Sequence, residues 1–166
     1  MTKVKFDLED NTSQPEVLLI CIGNDYRQDD SAGLVVGRHL RIRGLKGIKV
    51  LENSGDGMAL MDAWKNCDTV ILVDAVQSGW PAGTIFYFDA LKHTLPEDMF
   101  PVSSHNIGIP QCITLSRNLG LLPKKLIFYG IEGRNFAEGQ TLSRATHDAA
   151  NEVAEKIAEE LRWRGF

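Results

Sequence analysis

The sequence predicts an α/β fold, a three-layer αβα sandwich built on a mainly parallel five-stranded sheet. Three observations carry that expectation. Short apolar runs alternate with segments of helical periodicity along the chain. Two of the runs, Val17-Leu-Leu-Ile-Cys-Ile22 and Thr69-Val-Ile-Leu-Val73, lack apolar–polar alternation, as strands buried on both faces of a parallel sheet do. Clusters of Gly, Asn, Asp and Ser punctuate the ends of the runs, where the chain must turn.

The elements follow in order. Val17 to Ile22 reads as the first strand, and Leu34 to Leu40 has the spacing of a helix. The polar stretch between them holds Asp29, Asp30 and Ser31, one of which is expected to cap the helix, since all three types accept bonds from free N–H groups. Gly44 to Gly47 is a turn and Ile48 to Glu52 a second strand, ended by Asn53-Ser-Gly-Asp-Gly57. Met58 to Asn66 reads as helix with Met58, Met61 and Trp64 on one face. The third strand, Thr69 to Val73, stops at Asp74-Ala75, and Gly79 to Gly83 turns the chain into a strand at Thr84 to Phe88 with the character of a sheet edge. Leu91 to Val102 is irregular, with Pro96 and Pro101. Ile109 to Leu122 is helical, Pro110 being tolerated in the first turn. Lys125 to Tyr129 is the last strand, and Ser143 to Arg164 is a long amphipathic helix with Ala145, Ala149, Val153, Ile157 and Leu161 along one side. Residues 1–16 are polar and mixed in charge, and are expected to be a mobile leader ending at Pro15, with 17–166 a single α/β domain.

Composition narrows the function classes. The chain has 166 residues, 43% hydrophobic and 24% charged, enough for one domain with a real core. A net charge of -4 argues against a nucleic-acid binder, which needs a basic face to neutralise phosphate. No apolar run approaches the ~20 residues of a membrane span. Cys21, Cys67 and Cys112 are isolated and form no C-x-x-C pair, so neither a zinc ribbon nor a disulfide framework is indicated and a reducing cytoplasm is expected.

The densest chemistry lies in Ile22-Gly-Asn-Asp-Tyr-Arg-Gln-Asp-Asp-Ser-Ala-Gly33. A strand empties there into a loop with Asp25, Asp29 and Asp30, and a helix follows, which is where ligands bind in open α/β sheets. If the sheet has its switch point between the first and third strands, three polar sites converge: Asp30 after strand one, Asp74 at the carboxyl end of strand three, and His105 after strand four. Two carboxylates and an imidazole suit a borderline divalent ion such as nickel or zinc, with positions left for water or substrate. Singly, an Asp after a strand is more often a turn residue, and a His more often a surface group, as His39, His93 and His147 are expected to be. His105 stands apart because Ser103, Ser104, Asn106 and Gly108 leave backbone close to any ligand.

These residues resemble the hydrogenase maturation endopeptidases. The blocks are Gly23-Asn-x-x-x-x-Asp29-Asp30-x-x-Gly33, Val73-Asp74-Ala75 and Ser103-Ser-His105, and the resemblance runs from about Val17 to the last helix. It implies an endopeptidase that removes the C-terminal extension of a nickel–iron hydrogenase large-subunit precursor after nickel insertion. It implies that Asp30, Asp74 and His105 contact the metal and serve in catalysis, that nickel arrives with the substrate, and that zinc or cadmium can stand in for it. Some members carry Glu where this chain has Asp30, so Asp29 stays open as the first ligand. No nucleic-acid or membrane partner is expected, and the small size fits a monomer.

Glu52, Asp56 and Glu132 flank turns beside the same sheet edge, and Arg27 is placed to pair with Asp25 or Asp29 or to meet a substrate carboxylate. A cysteine hydrolase would use Cys112 with His105, but Cys112 falls on the apolar side of a helix. A dinucleotide site lacks G-x-G-x-x-G, and its acidic loop would repel a pyrophosphate. H-E-x-x-H and G-x-S-x-G are absent. A non-catalytic nickel-binding maturation chaperone would share the metal site yet cut nothing.

Overall fold

A computed structural model describes residues 17–100 and 107–163. The leader expected at 1–16 and the Ser103–Asn106 stretch with His105 therefore lie outside the described residues. The sheet has five strands in the order β2-β1-β3-β5-β4: β1 Val17–Ile22, β2 Ile48–Asn53, β3 Thr69–Val76, β4 Ile85–Asp89 and β5 Lys125–Glu132. All neighbours pair in parallel except β4, the antiparallel edge strand. The helices are α1 Ala32–Ile42, α2 Gly57–Trp64, α3 Ile109–Leu119 and α4 Arg144–Trp163.

Strand alternation separates two cores. Val17, Leu19 and Cys21 of β1 and Ile71 and Val73 of β3 pack with α1 and α4. Leu18, Ile20, Ile22, Val70 and Leu72 pack with α2 and α3. Because successive side chains point to opposite faces, one unbroken apolar run supplies both layers. On α4, Ala150, Ala154 and Ala158 are fully buried, and their small side chains let the helix lie close against α1 and the sheet. On the other face the Trp64 indole N–H donates to Ser116 Oγ at 3.2 Å, joining α2 to α3 inside the core.

The structure departs from the sequence reading in several places. β3 does not stop at Asp74, nor β5 at Tyr129. The two run on together, with Asp74 opposite Gly130, Ala75 opposite Ile131 and Val76 opposite Glu132. Asp and Gly each read as strand-breaking, but here they face each other across one ladder. Met58 is 63% exposed, and the buried face of α2 is Gly57, Leu60, Met61 and Trp64. Steps of three residues drift by about 60° each on a helix, so the chosen triad could not share one face. Ala145 is exposed and Thr146 buried for a related reason, since steps of four drift by about 40°. α3 ends at Leu119 because Gly120 takes the left-handed conformation (φ 69°), and the Leu121 N–H then bonds the Ser116 carbonyl. The edge strand begins at Ile85, one residue later than expected.

The approach of α1 to the sheet is close. A Cβ at Gly33 would lie 2.3 Å from the Ile22 carbonyl oxygen and 2.6 Å from that of Val73. Both obstacles are backbone, so neither can swing aside. Gly33→Ala should therefore lose stability at or above the upper end of the about 1–3 kcal/mol typical of overpacking, measured by urea denaturation. A variant as stable as the parent would show that the helix start is not seated on the strand ends.

Candidate functional site at the carboxyl ends of β1 and β3

β1 pairs with β3 only as far as Cys21 opposite Val73. Asp74 is the next residue of β3, so it sits just past the last pair of that ladder, where β1 and β3 part and a crevice opens. In the alternation of β3 it takes the phase of Val70 and Leu72, toward the α2 and α3 layer. The chain leaving β1 crosses this crevice. A Cβ at Gly23 would be 2.2 Å from the Asp30 carbonyl oxygen, so the loop folds back tightly onto its own start, and the Asn24 N–H bonds that same carbonyl at 3.3 Å.

Asp30 and Asp74 line one cavity of about 210 Å³, with Arg27 at its side and Phe100, Ile107 and Ile109 forming an apolar wall. Ser54 and Gly55 of the turn after β2 complete it. Burial pushes the Asp74 carboxyl well above the usual carboxylate range, and the negative charge of Asp30 adds to the push, against one hydrogen bond from the Ala75 N–H. Burial likewise raises Asp30, with Arg27 pulling the other way. The Arg27 guanidinium comes to 4.0 Å from Asp30 Oδ2. Two half-buried carboxylates that repel each other favour a proton or a cation between them, and oxygen donors suit a divalent ion. Among the described residues no three His, Cys, Asp or Glu side chains converge to hold a metal ion. His105, the third candidate, lies outside those residues.

Asp29 has a different occupation. Its Oδ2 accepts from the N–H groups of Arg134 (2.7 Å) and Asn135 (3.0 Å), its Oδ1 from that of Ser143 (2.6 Å), and the Ser143 hydroxyl donates at 2.9 Å. Burial alone would raise this carboxyl, but the N–H groups of Ser143, Arg134 and Asn135 and the Ser143 hydroxyl together hold it below the usual range. Asp29 thus fastens the loop after β5 to the loop after β1, and its lone pairs are spoken for. No side chain of Asp29, Asp30 or Ser31 caps α1. A 3₁₀ turn over Gln28–Ser31 runs directly into the helix, and the Ala32 N–H bonds the Asp29 carbonyl, so the start is satisfied by backbone.

The secondary candidates have structural work. Asp25 takes a two-pronged bond from Arg38 at 2.7 and 2.6 Å, so Arg27 pairs with neither Asp25 nor Asp29. Glu52 accepts from Arg41 and Arg38. Asp56 caps α2 through the N–H groups of Met58 and Ala59. Glu132, fully buried, binds Ser78 N–H, Ser78 Oγ and Gly79 N–H, which anchors the turn between β3 and β4. The Cys112 thiol is buried in the core and pushed up to about 11, with its hydrogen bond directed to the Ile107 carbonyl, which removes the thiolate a cysteine hydrolase needs. Sequence reading missed Ser54, Gly55, Phe100 and Ile107 as cavity walls, because loop residues without charge carry no positional signal.

With this geometry in view, known proteins are similar in both sequence and shape. A family model described as hydrogenase maturation protease (HycI) matches residues 36–160. This chain belongs to the hydrogenase maturation protease family. The matched stretch includes Asp74 and His105 and begins after Asp30. The chain is 27% identical over 131 residues to hydrogenase expression/formation protein HupD of Thiocapsa roseopersicina, covering 72% of this chain and 55% of that protein. It thus spans a little over half the length of this curated relative, and 58% of HupM of Azotobacter chroococcum mcd 1, at 25% identity over 72% of this chain. Among solved structures, the hydrogenase maturating endopeptidase HybD from E. coli superposes with a TM-score of 0.73 at 21% identity, over 90% of this chain and 94% of that one. The nickel–iron hydrogenase maturation protease HycI from Thermococcus kodakarensis KOD1 gives 0.69 at 25% identity, over 91% and 95%. The maturation protease fold is therefore the fold found here.

Asp29 of the loop and Asp74 of β3 have opposite consequences for stability. The folded-state pKa of Asp29 lies below its unfolded value, so its contribution is present above about pH 4 and is lost as pH falls through the folded pKa. Asp29→Asn should cost about 2–3 kcal/mol at neutral pH and should flatten the acid limb of the stability curve. Asp74 runs the other way. Its folded pKa is raised, so the native state loses stability as pH rises from about 4 toward that pKa. Asp74→Asn should melt at a higher temperature than the parent at pH 7 and match it near pH 3, followed by circular dichroism.

Proposed function

We infer that the chain is an endopeptidase that removes the C-terminal extension of a nickel–iron hydrogenase large-subunit precursor after nickel has been inserted. Family membership supports processing of a hydrogenase precursor. The observation that supports reading of the metal is the pair Asp30 and Asp74 in one cavity, each raised by burial and Asp74 further by the charge of Asp30. A substrate that carries its own dication relieves both. In this reading Asp30, not Asp29, is the first acidic contact, because Asp29 is already saturated with hydrogen bonds. His105 supplies the third contact.

Nickel is substrate here, bound to the precursor, and zinc or cadmium would occupy the same donors as surrogates. The chain's own contribution is to orient the scissile peptide and to manage one proton. A carboxylate in the cavity accepts a proton from the attacking water, and the same proton passes to the leaving amine as the peptide bond breaks. The apolar wall of Phe100, Ile107 and Ile109 excludes bulk water from that step. The buried free thiols Cys21, Cys67 and Cys112 suit a reducing compartment, and no helix among the described residues is long and apolar enough to cross a membrane.

The test is to incubate the protein with nickel-loaded precursor and with the same precursor lacking nickel, reading the mass of each. Loss of a short C-terminal peptide from the loaded form alone is expected. Asp74→Asn and His105→Ala should each slow that loss by about 10²–10⁴-fold with the fold intact. Binding of the loaded precursor without any cleavage by the parent chain would instead establish a nickel-binding chaperone.

A further inference from the structure

We propose that Arg27 is a specificity-determining residue that binds a carboxylate on the precursor's peptide beside the cut. The proposal rests on the reading of the chain as a precursor-processing protease. Among the described residues, Arg27 is the one basic side chain lining the cavity that holds Asp30 and Asp74. It also lines a second cavity, of about 490 Å³, bounded by Asn24, Tyr26, Glu138, Gly139 and Gln140. The residue is thus the shared wall between the acid pair and an open neighbouring cavity, and a peptide lying across both would pass over it.

The side chain is positioned but its charge is underused. The Arg27 backbone bridges to Gly139, and the Gly139 N–H donates to the Tyr26 carbonyl at 2.9 Å, which fixes where the side chain starts. Its Nε donates to the Phe136 carbonyl at 3.3 Å, which sets the plane of the fork. Among the described residues the terminal nitrogens come no nearer to an acid than 4.0 Å, at Asp30, and the side chain is 48% exposed. A guanidinium held by its Nε and left with its outer donors toward solvent is prepared for two-pronged binding of a carboxylate. Nearby cations show the contrast: Arg38 and Arg41 are committed to Asp25 and Glu52.

The acid pair strengthens the case. In the free protein the charge of Arg27 partly offsets that of Asp30. A dication arriving between Asp30 and Asp74 takes over that offset, and the outer donors of Arg27 become available to the incoming peptide. Glu138 also lines the neighbouring cavity and opposes an anion there, so the carboxylate belongs at Arg27 itself. The partner group is an Asp or Glu side chain within a few residues of the cut, since Arg27 lines both cavities.

The experiment compares the parent chain with Arg27→Ala and Arg27→Lys on nickel-loaded precursor, and on precursors whose acidic residues near the cut are changed singly to Asn or Gln. Arg27→Ala should raise KM about ten- to a hundredfold with kcat changed far less. One neutralised precursor acid should raise KM similarly for the parent and add nothing for Arg27→Ala. Arg27→Lys should recover part of the loss, as a point charge without the fork. Affinity for the same precursors, measured with the uncleaving Asp74→Asn background, tests the contact apart from cleavage. Unchanged KM and affinity in Arg27→Ala, or losses that multiply independently of every precursor acid, overturn the proposal while leaving the protease reading intact. Failure of the parent chain to bind the loaded precursor overturns both.

Discussion

The rest of the structure depends on a backbone contact, the seating of Gly33 against the carbonyl oxygens of Ile22 and Val73. No side chain fits between the start of α1 and the ends of β1 and β3, so the helix must begin directly over the point where those strands part. That closeness sets the length of the loop between strand and helix. It also places Asp30 above the crevice into which Asp74 projects, one residue past the last β1 partner of β3. The second close approach, of Gly23 to the Asp30 carbonyl, closes the same loop from its other end. Two glycines therefore do by absence what the acidic residues need by position. A crevice at a strand-order switch is a common consequence of parallel sheets, and here its width is governed by atoms that cannot rotate away.

Within a few residues of that contact, carboxylates are driven in opposite directions by their surroundings. Asp25 is held low by the Arg38 fork, and Asp29 is held low by three N–H groups and a hydroxyl despite its burial. For Asp30 the charge of Arg27, and for Asp74 the single Ala75 N–H bond, do not outweigh burial, and both are raised. The difference is one of compensation: donors saturate the structural acids, and like charge with burial burdens the pair in the cavity. Saturated carboxylates stabilise the fold and have no lone pair to offer. Burdened ones cost stability and are ready to take a cation. The loop places the two kinds at adjacent positions, Asp29 and Asp30, pointing one side chain into the protein and the other into the crevice.

Much of this was legible in the sequence, for reasons that particular residues make clear. Both faces of β1 and β3 are buried, so their unbroken apolar runs announced a parallel sheet before any partner was known. That Asp30 and Asp74 meet at one crevice followed from the same pattern, because the switch point of such a sheet lies at its carboxyl edge, even though β3 runs two residues past Asp74. Where the reading slipped, pairing or helical phase decided. Asp74 and Gly130 look like terminators singly and pair with each other in the ladder. Met58 and Ala145 were placed inside by integer spacing, and the 100° turn of the helix puts them out. The distinct fates of Asp29 and Asp30 were beyond any sequence argument, since they turn on the N–H groups of Arg134, Asn135 and Ser143, more than a hundred residues away.

The charge balance of the cavity bears on how such a protease would tell loaded precursor from empty. Shape alone discriminates weakly, because a precursor with and without its metal presents nearly the same peptide. On the proposed reading charge would discriminate better, because the free cavity holds two acids that burial burdens and that Arg27 and the Ala75 N–H only partly offset. A loaded precursor brings a dication that removes the repulsion and the desolvation cost together. An empty one must bury its peptide against carboxylates still in conflict, and gains nothing in return. Each ten-fold of preference needs about 1.4 kcal/mol of that difference. On the proposed reading, the burden that burial and Asp30 place on Asp74 in the free protein would be the source of the discrimination, and a cavity rebuilt for maximal stability would lose it.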